Sequence, residues 1–256
     1  MFDATVSFFW REIIFLLSGI GAGIANGIAG GGTFITFPTL LAVGIQALQA
    51  NVSTSVGVLP SYYGGIRGFR DQLRGHRALI RSLFPSCLLG AVLGTVLLLS
   101  GSPTTFRNVV PWLIGAGTLL FALAPRITTR LSHIDHQHPS RRWTLYLGVF
   151  IVSIYGGYFG AGLGILLLAV MAISLPYELA DLQGLRNVLS LIINACAAII
   201  FIVRGHLALD AVYMLLVGTL IGGTLGTLLI KRISPKAVRW LVIGTGVATT
   251  VRLLWN

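Results

Sequence analysis

Long stretches without a single Asp, Glu, Lys or Arg alternate along this chain with short stretches crowded with them. The uncharged runs cover 13–66, 82–106, 108–125, 143–177, 187–203 and 211–230, most of them at or above the roughly 17–25 residues that a membrane-spanning helix needs. Apolar and polar positions do not alternate with a period of two, which argues against a β-barrel. The pattern predicts an all-α membrane protein, a polytopic helical bundle. The longest run, 13–66, departs from smooth apolarity. Its "NGIAGGGTFITFP" at 26–38 sets four glycines, an asparagine and a proline in the middle of a segment expected to lie in hydrocarbon. The run has room for one full helix and a pair of short helical pieces, near 33–47 and 52–66, meeting at "QALQANVSTS". Backbone that leaves the helical ladder in lipid is tolerated only where protein buries it or a polar cavity receives it.

The interruption occurs twice. Shifting the chain by 130 residues superimposes Gly27, Gly30 and Gly32 on Gly157, Gly160 and Gly162, Ala50 on Ala180, and "RGH" at 74–76 on "RGH" at 204–206. A shift of 132 superimposes "GAVLGTVL" at 90–97 on "GGTLGTLL" at 222–229, with eight identities in the 18 positions from 90 to 107. Internal repeats of this kind mark duplication. The organisation expected is a first transmembrane repeat over 1–124, a basic linker over 125–142 and a second transmembrane repeat over 143–256.

Composition agrees with the membrane reading. Of 256 residues, 55% are hydrophobic and only 10% charged, with mean hydropathy +0.88, whereas a soluble domain carries about 25% charged residues. The first apolar run is read as retained rather than as a secretory leader, because Asp3 and Glu12 spoil a basic n-region and no clear cleavage site follows. Cys87 and Cys196 lack any CxxC or metal-ligand spacing and are read as packing residues.

The net charge of +11 suggests a nucleic-acid partner only until the positions are inspected. Arg67, Arg70, Arg74, Arg77 and Arg81 fill one connection, Arg126, Arg130, Arg141 and Arg142 a second, and Lys231, Arg232, Lys236 and Arg239 a third, 13 of the 18 basic residues. Short basic loops beside spans belong on the cytoplasmic face, so 67–81, 125–142 and 231–239 are expected there, with the chain in the cell (inner) membrane. With all three loops on one side, each repeat must cross an odd number of times. The repeats are then inverted relative to each other, with broken or re-entrant helices, as in many secondary transporters.

Paired interruptions at matching positions in two inverted halves point to a substrate site near the membrane midplane. Gly19, Gly23 and Gly27 also admit a plain packing reading, and packing is the favoured one for Gly90, Gly94, Gly222 and Gly226 at their spacing of four. The most informative polar residue is Arg186. It falls between apolar runs, where an arginine costs about 2.5–3.5 kcal/mol unless it finds a partner or a wet cavity. Gln183 and Asn187 flank it, and the corresponding first-half positions carry Ser53, Thr54, Ser55 and Gly57. A guanidinium, amides, hydroxyls and helix N-termini all present donors, which suits a small oxyanion. Two alternatives stay open here: Arg186 pairing with Asp181 or Glu178 as structural glue, or lying near an interface with its head in water. Asp181 and Glu178 are also the candidates for proton coupling. "HIDHQH" at 133–138 invites a Zn or Ni reading, but without a fourth ligand of defined spacing it reads as a solvated linker, so neither a metal nor another cofactor is expected. His76 and His206 occupy equivalent repeat positions expected on opposite membrane faces, which suits interfacial structural roles. No GxSxG, HExxH or Walker motif occurs, so an enzyme reading has no residues behind it.

"GIAGGGTFITFPTLLAVGI" with "QANVSTSVGV" in the first half, and "GGYFGAGLGILLLAVMAI" with "DLQGLRNVLSLIINA" in the second, resemble the sulfite exporter TauE/SafE family over about residues 15–254. The resemblance implies a secondary transporter of small sulfur-containing anions such as sulfite, sulfoacetate or other organosulfonates. The family's patterns map onto Gly27, Gly30, Gly31, Gly32, Asn51, Ser53, Thr54 and Ser55, and onto Gly157, Gly160, Gly162, Asp181, Gln183, Arg186 and Asn187. A threonine-serine pair, usual in both halves of the family, is present here as "STS" in the first and replaced by "QGLRN" in the second. With Asn26 and Thr33 beside the first glycine break, the expected anion site comprises Asn26, Gly30, Gly31, Gly32, Thr33, Asn51, Ser53, Thr54, Ser55, Gly160, Gly162, Gln183, Arg186 and Asn187. The expected partners are a small anion, the bilayer and a coupling proton or ion, with no nucleic acid and an unassigned oligomeric state. An anion channel using the same donors as a selectivity ring, or a divalent-cation carrier using the loop histidines and Asp181, is the competing function.

Overall fold

The computed structural model describes residues 2–28, 30–131, 141–228 and 234–255. All regular elements among them are helices: α1 (Phe2–Ile28), α2 (Thr33–Ala42), α3 (Ala47–Gly57), α4 (Ser61–Gly68), α5 (Arg70–Arg74), α6 (Arg77–Ser100), α7 (Pro103–Leu131), α8 (Arg141–Tyr158), α9 (Leu163–Ser174), α10 (Leu179–Arg204), α11 (Leu209–Leu228) and α12 (Pro235–Trp255). Six segments, Phe9–Ile28, Arg77–Ser100, Pro103–Leu123, Leu179–Arg204, Leu209–Gly226 and Lys236–Trp255, are long and apolar enough to cross a membrane. The outer surface is apolar to match: Leu89, Leu97, Trp112, Leu147 and Val203 are all exposed. The protein is an all-α, multi-pass membrane protein.

The glycine breaks lie where the sequence places them, between α1 and α2 and between α8 and α9. The short pieces of the first half differ from expectation. Gly44, at φ +93°, stops α2 in the left-handed region, and α3 then runs straight through most of "QALQANVSTS". The next break comes at Val58–Pro60. Proline disfavours helical geometry in the residue before it and has no N–H to continue the ladder, so α4 restarts with Pro60 as its cap. In the second half no such break occurs, and α10 is one continuous helix of 26 residues. Helix α7 continues into the segment expected as a linker, as far as Leu131, and "HIDHQH" at 133–138 lies outside the described residues.

Close approaches at glycines give the directions of the helices. A Cβ on Gly19 would meet Leu215, Gly218 and Thr219, one on Gly23 would meet Thr219 and Gly223, and one on Gly27 would meet Gly226. The contacts climb together along both helices, so α1 and α11 run parallel. Likewise Gly90 abuts Phe150 and Ser153 while Gly94 abuts Ile154 and Tyr158, so α6 and α8 run parallel. Gly148 faces Val170 while Gly156 faces Leu163, which makes α8 and α9 an antiparallel hairpin, and Gly21 against Ile35 with Gly32 against Ala22 makes α1 and α2 another. Glycines read as packing residues do pack. Gly19, Gly23 and Gly27, open to either reading in sequence, also serve helix approach rather than a break.

His76, just before α6, contacts Asp181 in the first turn of α10 at 3.6 Å and stacks on Tyr177 at 4.3 Å. Helix α10 therefore starts at the end of the bundle that carries the 67–81 segment. It finishes roughly 39 Å away, where Ala208 N–H donates to Ser53 Oγ at 2.9 Å. Helix α7 returns to the first end, and there the Arg239 guanidinium donates to the Ala122 carbonyl. The hairpin α1–α2 thus enters from one end of the bundle and α8–α9 from the other. Their tips meet in the interior, where Phe37 and Phe159 pack edge to face with ring centroids 5.4 Å apart.

Candidate functional site

At each hairpin tip the chain turns through left-handed backbone: Gly30 at φ +79°, Gly160 at +76° and Gly162 at +75°. An L side chain there costs about 1–2 kcal/mol, which is one reason for glycine. The second reason is proximity. A Cβ on Gly164 would lie 3.4 Å from Gly30 Cα, and one on Gly30 would lie 3.1 Å from Arg186 Nη1. The two tips and the Arg186 side chain are in mutual contact.

Arg186 sits in the second turn of α10 and is only 2% exposed. Its Nη2 donates to the Asn26 carbonyl at 3.2 Å and to Asn187 Oδ1 at 3.4 Å. Neither acceptor carries a charge, and no described carboxylate lies within ion-pair distance. The described ion pairs are elsewhere: Arg11 with Asp210, Arg70 and Arg74 with Asp71, and His76 with Asp181. The two structural-glue partners considered from sequence are therefore excluded, since Asp181 faces His76 and Glu178 is an exposed residue preceding α10. Arg186 is also too buried to have its head in interfacial water. A buried guanidinium without a counter-charge is costly unless a ligand supplies one.

Around the guanidinium runs a narrow cleft lined by Asn26, Gly30 and Thr33 from the first hairpin, Gly160, Leu163 and Gly164 from the second, Tyr62 from α4, and Asn187 and Ser190 from α10. Thr33 and Leu163 are the first residues of α2 and α9, so both short helices turn their positive N-terminal ends toward it. Asn26 locks the first tip: its Oδ1 accepts from Gly32 N–H at 2.7 Å and its Nδ2 donates to Ser61 Oγ at 2.9 Å. Asn194 Nδ2 donates to Tyr62 Oη at 3.1 Å, and Ser190 Oγ is buried without a protein partner. The cleft thus presents donors and no carboxylate. Its walls close on one another and leave no room for a water molecule.

Of the residues singled out in sequence, Asn26, Gly30, Thr33, Gly160, Arg186 and Asn187 come together here. The others stand apart. Gly31 faces Phe121 and Val242, and Gly162 faces Phe34. Gly32 contributes its N–H to Asn26, and Gln183 is half-buried with its carbonyl accepting from Asn187 Nδ2 at 3.0 Å. Asn51 Nδ2 caps α8 at the Tyr158 carbonyl, 3.0 Å away. Ser53 accepts from Ala208, Ser55 donates to the Asn51 carbonyl at 2.9 Å, and Thr54 Oγ1 is buried without a partner. Sequence reasoning did not single out Tyr62, Ser190 or Gly164. The available signal was the four-residue spacing of Arg186, Ser190 and Asn194, which places three polar groups on one face of α10.

Because Asn26 ties Gly32, Ser61 and Arg186 together, Asn26→Ala is expected to lower stability by about 1–3 kcal/mol through the orphaned Gly32 N–H. Asn26→Asp, which keeps that acceptor, should lose less; thermal midpoints of the two purified variants decide.

The family profile described as "Sulfite exporter TauE/SafE" matches residues 15–253. The chain is 24% identical over 247 residues to a "Probable membrane transporter protein" of Haemophilus influenzae, covering 93% of this chain and 92% of the relative. It is also 24% identical over 242 residues to "Probable membrane transporter protein YfcA" of Escherichia coli K12, covering 92% and 86%. A third relative, "Probable membrane transporter protein ORF9" of a Sinorhizobium species, is 25% identical over 238 residues, covering 91% and 88%.

Proposed function

Since this chain belongs to the sulfite exporter TauE/SafE family and is a membrane transporter rather than an enzyme, we propose that it carries a small sulfur-containing anion by alternating access. Sulfite, sulfoacetate or another organosulfonate binds at the Arg186 cleft. The observation that carries the reading is the buried Arg186 guanidinium, which has no carboxylate partner among the described residues and faces the meeting point of two broken-helix hairpins. A sulfonate oxygen pair matches a guanidinium edge. Thr33 and the N-termini of α2 and α9 supply further donors.

The packing pattern supports two inverted repeats. Helix α1 packs on α11 as α8 packs on α6, α2 packs on α12 as α9 packs on α7, and α7 packs on α12. Exchanging the halves leaves that set of contacts unchanged. With 67–81, 125–142 and 231–239 cytoplasmic in the inner membrane, one hairpin would gate the cleft from outside and the other from inside. A closed cleft favours such a carrier over a channel, which needs a continuous path. Proton coupling, in this reading, runs through Asp181, one and a half turns from Arg186 on α10 and paired with His76.

The test is a thermal-shift titration of detergent-purified protein with sulfite, sulfate, sulfoacetate, taurine, chloride and Ni²⁺. A ligand that binds only the folded state stabilises by RT ln(1 + [L]/Kd), about 2.7 kcal/mol at a hundredfold excess. Saturable stabilisation by a sulfur oxyanion and not by chloride is expected. A response to Ni²⁺ alone would overturn the ligand class.

A further inference from the structure

A second cavity lies at the end of the bundle that carries the 67–81 segment, outside the Arg186 cleft. It measures about 250 Å³. Arg70, Arg74 and Arg77 stand around it, while Ile66, Leu73, Ile80 and Val188 form its apolar lining. We propose that this cavity binds an anionic phospholipid of the leaflet it opens to, with the phosphate held by the arginines and an acyl chain leaving along α6.

Three features favour a lipid over a soluble anion. The charge is in excess, since Asp71, 3.2 Å from Arg74 and 3.9 Å from Arg70, is the one carboxylate among the described residues paired with any of the three arginines. The lining is apolar, with the arginines contributing their aliphatic stems, which a free phosphate would not use. Finally, Arg77, Ile80, Phe84 and Leu88 fall on one stripe of α6 at helical spacing. The stripe begins with the charge at the helix start, and Phe84 (46%) and Leu88 (37%) are exposed beyond the cavity. It runs about 16 Å into the bundle's length, the course an acyl chain follows from its headgroup. Basic pockets between helices at the cytoplasmic boundary suit acidic headgroups on electrostatic grounds.

The position gives the lipid a consequence for the anion site. Val188 is two residues from Arg186 on α10, and Gly184 of the same helix packs directly on Phe69 and Leu73, 3.1 and 3.3 Å from its virtual Cβ. A phospholipid wedged here braces α5 against the helix that carries the guanidinium.

The full-length protein in detergent is titrated with short-chain phosphatidylglycerol, phosphatidylcholine of the same chain length, and inorganic phosphate. Binding is read by thermal midpoint and by native mass spectrometry. Phosphatidylglycerol should bind saturably at a concentration at least tenfold lower than phosphatidylcholine, with no shift from phosphate. The double variant Arg74→Gln/Arg77→Gln, and separately Ile80→Trp, which fills the cavity and keeps every charge, should each weaken phosphatidylglycerol binding at least tenfold. Arg107→Gln, at the opposite end, should leave it unchanged. Equal binding of the two lipids, phosphatidylglycerol binding unaffected by either cavity variant, or a shift reproduced by phosphate alone overturns the proposal. If the double variant does not fold, Ile80→Trp decides.

Discussion

Arg186→Met is expected to weaken anion transport and anion-dependent stabilisation sharply while leaving the thermal midpoint of the unliganded protein unchanged or higher. The two halves of that expectation come from one fact. Arg186 is 2% exposed and, among the described residues, makes two hydrogen bonds, both to neutral acceptors, the Asn26 carbonyl and Asn187 Oδ1. A buried charge in that state costs folding energy, and apolar replacement of buried ionic groups is often neutral or stabilising by about 1–4 kcal/mol. Charge-assisted hydrogen bonds are worth about 1.5–3 kcal/mol each, so losing the guanidinium should weaken anion affinity by roughly one to two orders of magnitude. Arg186→Lys, a point charge in place of a planar fork, should fall between the wild type and Arg186→Met. The measurements are radiolabelled uptake into proteoliposomes and the unliganded melting curve. Wild-type uptake in Arg186→Met would remove the site, and collapse of the fold would make Arg186 structural.

The sequence made the membrane class, the glycine breaks and Arg186 legible for identifiable physical reasons. Charge exclusion from hydrocarbon is strong enough to show in composition alone, and glycine at Gly30, Gly160 and Gly162 answers a backbone requirement that no other residue meets cheaply. What escaped was the difference between the halves. Repeat alignment places Ser53, Thr54 and Ser55 opposite Gln183, Gly184 and Leu185, and equivalent positions invite equivalent roles. The first half, however, breaks at Val58–Pro60 where α10 continues unbroken. That break brings Tyr62 to the cleft and turns Ser53 toward the start of α11. Asn51 likewise reads as a ligand in sequence because it is polar and central, yet its amide spends its donor on the last carbonyl of α8. A polar residue inside a membrane protein serves a helix end as readily as a substrate, and only the position of the neighbouring helix end distinguishes the two.

Gly94→Ala and Gly222→Ala are expected to destabilise strongly and alike, although they lie in different halves and neither touches the cleft. A Cβ on Gly94 would collide with the Ile154 carbonyl oxygen, and one on Gly222 with the Ile20 carbonyl oxygen. Both obstacles are backbone, so no side-chain rotation relieves them and the helix pair must separate. Overpacking of this kind costs about 1–3 kcal/mol and occasionally more, and here it strikes the α6–α8 and α1–α11 pairs that carry the two hairpins. Gly244→Ala supplies the control. It lies inside α12 with nothing within 4 Å of its virtual Cβ, and an open helical glycine replaced by alanine gains about 0.5–1 kcal/mol. The expected order of melting temperature is therefore Gly244→Ala at or above wild type, with Gly94→Ala and Gly222→Ala well below it. Because hydrocarbon supplies no hydrophobic drive between helices, close packing of small residues has to do so. Wild-type melting of Gly94→Ala would mean that α8 is not seated on α6 as described, and the hairpin tip at Gly160 would lose the support that holds it beside Arg186.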